Sequence, residues 1–400
     1  MSGRRATVFL IGVLALAACR GERAAIETIL SPAGAGAAEP FLSPAREGVL
    51  LSWLEPVEGT ERHALRFARL RNGEWSSPIT VAERDDFFVN WADFPSIVED
   101  EKGVLFVHWL QKSGPKSYDY DIRMATSSDG GTSWDEPFLL NRDGRKAEHG
   151  FVSVAAVPGG GVGATWLDGR NMTGSDHDHG GGDMTLRYAT VDAAGPVDEV
   201  ELDPRVCECC ATGMTMTAGG PVIVYRDRSD DEIRDISFVR RTTTGWSEPK
   251  PLRRDGWKIA ACPVNGPQID SAGSRVATAW FTAADETQRV YAAFSDDGGA
   301  TFGEAVVVDE GKPAGRVDIV ALDSGDAIVT WLEQTPSGAE IRLRRIGRDG
   351  IVTPSVKVAD SSMARGSGFP RIARSGRDLY IAWTEQSTDS RRIHVARMPL

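Results

Sequence analysis

The residues best suited to chemistry in this 400-residue chain are thiols, imidazoles and guanidinium groups gathered in one stretch. Cys207-Glu-Cys209-Cys210 and the more distant Cys262 supply four thiols, and His149, His177 and His179 lie upstream. Thiolate and imidazole together suit Zn²⁺ or copper, and these cysteines can offer up to four sulfurs to one ion. Two other fates compete for the same thiols. An exported chain favours disulfides, with Cys262 bridging to the cluster; the remaining bridge would then join adjacent cysteines or cysteines one residue apart, both strained. A free, redox-active thiol is the third. Cys207, Cys209, Cys210, Cys262, His149, His177 and His179 are therefore the metal candidates. The histidines taken alone also fit a solvated, glycine-rich loop.

A second constellation is charged. Asp168-Gly-Arg170 and Arg226-Asp227-Arg228 each follow an aromatic residue that ends an apolar run. Arginine forks hold carboxylates or sulfates bidentately. Arg170, Arg226 and Arg228 are thus ligand candidates, with Trp91, at the end of the aromatic strip 87–91, as a platform for a sugar ring. Asp168, Arg170, Arg226 and Asp227 are the catalytic candidates. Glycoside cleavage needs one carboxyl as acid and another as base or nucleophile, and Glu55, Glu333 and Glu385 each stand two residues past a tryptophan. A ring of strand-end ion pairs explains those three glutamates equally simply, and is the preferred reading for them. Phosphate-binding loops, the hydrolase nucleophile elbow and the His-Glu-x-x-His zinc helix have no counterpart.

Something must position these groups, and the chain shows what. Apolar runs end in an aromatic at Trp53, Trp109, Trp166, Tyr225, Trp280, Trp331 and Trp383, at intervals of 51 to 59 residues. A second alternating stretch follows each, with turn residues between. A fixed period in the fifties with several short strands per unit predicts an all-β propeller of four-stranded antiparallel blades. Seven blades are expected, six being the alternative. The seventh unit ends after three strands, so residues 25–30 are expected to supply its outer strand and close the ring, removing the last open edges. In that topology the connections entering each blade share one mouth with the loops between second and third strands. All four downstream cysteines, His149, His177 and His179 sort to that mouth, around units 3 to 5.

The first residues read as targeting. Arg4 and Arg5 precede an apolar run too short to span a bilayer, which ends Leu16-Ala-Ala-Cys19. This resembles a bacterial lipobox, so residues 1–18 are expected to be a lipoprotein signal peptide. Cys19 would be the lipidated residue, 19–24 a linker and 25–400 the propeller, held in the cell envelope facing the periplasm or the exterior. Without residues 1–18 the formal charge of −12 loses two arginines and becomes −14. An acidic surface argues against nucleic acid and anionic membranes as partners. A monomer is expected.

Two turns carry a family signature. Ser127-Ser-Asp129-Gly-Gly131-Thr-Ser133-Trp134 and Ser295-Asp-Asp297-Gly-Gly299-Ala-Thr301-Phe302 fall at the same point of their units. They resemble the Asp-box, and the chain is similar to sialidase-like BNR/Asp-box propellers over nearly its whole length. That resemblance implies an acidic carbohydrate as partner and, for an enzyme, exo-sialidase chemistry. The departures matter: sialidases resemble six-bladed propellers, their Phe/Tyr-Arg-Ile-Pro motif is absent, and Phe369-Pro-Arg371-Ile372 has its letters in another order. Tyr118 and Tyr120 sit in a suitable loop, but no nucleophilic tyrosine with a paired glutamate can be assigned. Binding or hydrolysis of an acidic glycan is the first functional expectation, a Zn- or Cu-binding envelope protein the second, and an interaction scaffold the third.

Overall fold

The computed structural model describes residues 25–173, 181–387 and 390–400. Among them stand seven antiparallel sheets arranged as a propeller. Counted from the axis outward, blade 3 is built from His149–Ala156, Val162–Asp168, Met184–Asp192 and Gly195–Val206. The others repeat this order, with innermost strands beginning at Ala38, Ser96, Gly213, Gln268, Pro313 and Arg371. The outer edges of blades 1 and 4 are each divided into two short strands.

Every residue of Val162–Asp168 is buried, because a blade packs both faces against its neighbours. That is why the second strands read as unbroken apolar runs rather than alternating ones. Their tryptophans fill the space between sheets, and each indole must place one N–H donor. Residues two apart on a strand point the same way, so in three blades an acid two positions on receives it. Trp53 Nε1 donates to Glu55 at 2.7 Å, Trp166 to Asp168 at 2.8 Å and Trp331 to Glu333 at 2.6 Å. Glu55 and Glu333 thus belong to the framework.

Ring closure is as expected. Glu27–Ile29 pairs antiparallel with Arg391–Pro399, Glu27 opposite Arg397 and Ile29 opposite Val395. Around the axis, side chains stitch each innermost strand to the next. Ser43 Oγ donates to the Ile97 carbonyl, Phe151 N–H to Asp93, Ser153 Oγ to the Thr212 carbonyl and Ser271 Oγ to the Met216 carbonyl. Ala321 N–H donates to Asp270 and Ile372 N–H to Asp318. The seventh junction, blade 7 to blade 1, differs: there the Arg371 guanidinium lies over the Phe41 ring at 5.3 Å.

The two Ser-x-Asp-x-Gly turns lie on the face opposite the mouth. Asp129 accepts from Ser127 Oγ, Ser133 N–H and Ser133 Oγ at 2.8, 2.9 and 2.6 Å. Asp297 accepts from Ser295 Oγ, Thr301 N–H and Thr301 Oγ1 at 2.7, 2.9 and 2.7 Å. The aromatics then wedge between blades, Trp134 edge-on to Phe67 and Phe302 edge-on to Phe238.

Candidate functional site

The third and fourth blades are joined through a short loop that turns back on itself. Cys207 follows the strand Gly195–Val206, and its N–H donates to the Arg226 carbonyl at 3.0 Å. The loop then brings three sulfurs together: Cys207 Sγ is 3.7 Å from Cys210 Sγ and 3.9 Å from Cys209 Sγ. Cys207 and Cys210 are buried, and Cys209 is half-buried. The exposed Cys262 stands on the loop entering blade 5. All four cysteines among the described residues are unbridged.

The cluster carries its own electrostatics. Arg234 Nη1 donates to Cys207 Sγ at 3.2 Å and to Glu208 at 2.7 Å. Glu208 also takes Arg228, which forks onto Glu232. Burial alone would raise the Cys207 thiol, but Cys209, Cys210 and Arg234 hold it well below its usual range. Burial pushes Cys210 the other way.

His149 does not join the sulfurs. Its ring is fully buried, with Nδ1 3.0 Å from the Tyr120 carbonyl and Nε2 3.3 Å from Asp143 and 3.6 Å from Asp168. Burial opposes its charge, yet Asp143 and Asp168 raise it above the ordinary imidazole range. Arg170 closes this clasp, forking onto Asp168 at 2.7 and 2.6 Å and meeting Glu199 at 2.8 Å. Asp168 and Arg170 are therefore tied to each other. His177, His179 and Cys19 lie outside the described residues.

Arg226 departs from the expected ligand-facing role. It is 1% exposed and spends its donors on the carbonyls of Arg234, Asn265 and Phe281, with Trp257 4.7 Å from its guanidinium. The end of its strand faces the next blade rather than solvent, so it clamps the two cysteine-bearing loops together. Asp227 accepts from Arg228 N–H and Ser237 Oγ. Trp91 stacks on Phe369 at 5.8 Å, under the Arg316 guanidinium.

Two groupings have no local sequence pattern. In the first, Tyr120 Oη lies 3.1 Å from both Asp93 and Glu148. One phenolic proton cannot serve two carboxylates, so one carboxyl must itself carry a proton. Asp93 already accepts the Phe151 N–H, which leaves Glu148 as the protonated acid. Burial, then the neighbouring Asp93, pushes Glu148 up to about 8, and burial pushes Asp93 to about 7. Tyr120 is 1% exposed and stacked on Phe88, closed to an incoming substrate. The second grouping is Arg316, Arg371, Phe369 and Phe94, taken up below.

No family model matches the chain, and no curated protein does. Solved structures do. A polysaccharide lyase, Uly1, is 8% identical with a TM-score of 0.54, covering 90% of this chain and 89% of its own. The NanB sialidase from Streptococcus pneumoniae is 8% identical with a TM-score of 0.47 over 94% of each chain. The phage phi92 endosialidase is 9% identical with a TM-score of 0.49, covering 94% of this chain and 69% of its own. At such identities the likeness is one of fold.

Proposed function

We propose that this chain is an exported, lipid-anchored propeller that binds a soft or borderline cation, zinc or copper, through Cys207, Cys209, Cys210 and Cys262. One observation carries the reading. Two sulfurs each about 2.3 Å from a tetrahedral ion lie about 3.8 Å apart, and Cys207 stands 3.7 and 3.9 Å from its two neighbours. The fourth sulfur comes from another blade, so an ion held here would cross-link the loops entering blades 4 and 5. Arg234 would offset part of the excess negative charge of several thiolates. The acidic-carbohydrate reading loses the arginines on which it rested, since Arg170 is paired with Asp168 and Glu199 and Arg226 is enclosed.

The test is bound metal and reactive thiols measured together on protein exported to an oxidising periplasm, with Cys19 replaced. One zinc or copper per chain, with four thiols appearing on chelation and metal lost in Cys207→Ser, is expected. No metal and no free thiol would overturn the reading and make the cluster a disulfide staple.

A further inference from the structure

Arg371 opens the innermost strand of blade 7 and is 4% exposed. Its side chain is hemmed by three rings, with Phe94, Phe41 and Phe369 at 4.8, 5.3 and 5.8 Å. Rings hold a guanidinium by its faces and leave its N–H edge to find acceptors. Here that edge finds none. Nε is buried without a hydrogen-bond partner, and the nearest carboxylate oxygen, on Asp318, is 4.0 Å from Nη1. Asp318 is already engaged, accepting the N–H groups of Ile319 and Ile372. A buried polar group left without a partner is destabilising, and a charged one more so.

The residue also lines the central cavity, about 470 Å³, walled by the innermost strands of all seven blades. That volume is within the range of small-ligand sites. The other acids of the wall are engaged elsewhere: Asp93 with Phe151 N–H and Tyr120, Asp270 with Ala321 N–H, and Glu99 with Arg46 N–H and the Arg69 guanidinium. A second cation backs the first. Arg316 lies over Trp91 and Phe369, and gives its donors to the carbonyls of Met363, Ala364 and Gly368 rather than to a carboxylate. Two guanidiniums thus flank Phe369 with one distant carboxylate between the blades.

We propose that Arg371 anchors an oxyanion site at the mouth of the central channel, taking the carboxylate or sulfate of a small molecule on its free N–H edge. The aromatic walls of Phe41, Phe94 and Phe369 admit an apolar or sugar-like body beside the anion. The site uses none of the thiol residues, so it stands or falls separately from the metal reading.

Calorimetric titration of the full mature chain with sodium sulfate, sodium glucuronate and glucose, each against chloride of equal ionic strength, tests this. Saturable one-to-one binding of sulfate, glucuronate or both is expected, with glucose silent; response to glucuronate alone would assign a sugar-borne carboxylate, and to sulfate a free anion. Arg371→Gln should weaken binding at least about tenfold, as loss of a charge-assisted fork requires. Asp318→Asn, which removes the competing charge, should tighten it several-fold and serves if Arg371→Gln fails to fold. Selenate soaked into wild-type crystals should give an anomalous peak at the Arg371 guanidinium. No saturable binding of either anion, or equal binding by wild type and Arg371→Gln, would overturn the proposal.

Discussion

Arg234 Nη1 donates to Cys207 Sγ at 3.2 Å from inside the protein, where the arginine side chain is 1% exposed. The same nitrogen reaches Glu208 at 2.7 Å. A thiol and a carboxylate that neighbour each other in sequence are thereby held by one cation, and the loop between blades 3 and 4 has its shape fixed before any ion arrives.

Arg234→Met should therefore destabilise the chain beyond the effect of lost volume. Removing one partner of a buried pair costs about 3–5 kcal/mol, and the Arg228 contact to Glu208 places this case near the lower end. Urea unfolding followed by tryptophan fluorescence would measure it. A cost below about 1 kcal/mol would show that Arg228 alone satisfies Glu208.

Proton binding at the channel mouth gives stability a definite pH slope. Glu148 and Asp93 are raised in the folded chain to about 8 and about 7. The folded state then holds more protons than the unfolded one, so their contribution is complete below about pH 4 and lost as pH rises through 7 and 8. Asp129 and Asp297, held at about 2 by their turns, act oppositely, losing their contribution below about pH 4. Glu148→Gln should keep the Tyr120 contact, flatten the Tm profile between pH 5 and 8 and raise Tm at pH 8. An unchanged slope would remove Glu148 from the account.

Two substitutions at one glutamate grade the hydrogen bonds it accepts. Glu333 accepts from the Trp331 indole at 2.6 Å and from Lys312 N–H at 2.7 Å. The two donors sit on opposite oxygens, so Glu333→Gln keeps one of these bonds, turns an NH2 toward the other donor, and should cost less than full truncation. Glu333→Ala strands both donors and should cost about 1–3 kcal/mol, read as a lower urea midpoint at unchanged slope.

The turn glycines should respond unequally to alanine. At Gly130 an added Cβ meets nothing, so only its positive φ of 75° is strained. At Gly131, φ 94°, the Cβ would lie 2.5 Å from the Phe67 ring. Gly130→Ala should cost about 1 kcal/mol, and Gly131→Ala clearly more, because the wedge of Trp134 and Phe67 must move. Equal costs would mean that wedge is loose.

The architecture was legible because it is repetitive: seven aromatic-terminated runs and a missing outer strand leave little choice of topology. The mouth could be located for the same reason, and the gathering of the cysteines followed from it. Partners drawn from separate loops were not legible. Asp93, Tyr120 and Glu148 are 27 and 28 residues apart and meet only because blades 2 and 3 adjoin. Arg226 and Arg371 show the converse failure. The first was expected to face a ligand and the second drew notice only for a reordered motif, yet the first is sealed by backbone carbonyls and the second walled by rings.

The strand that closes the ring also fixes a direction. Glu27 sits opposite Arg397, toward the face of the Ser-x-Asp-x-Gly turns, and the chain runs from there toward the mouth. The described chain thus enters the propeller from its turn-bearing side. The sulfurs and the Arg371 channel open on the opposite face, so the end by which the described chain enters and the groups that could take a solute are on different sides of the ring.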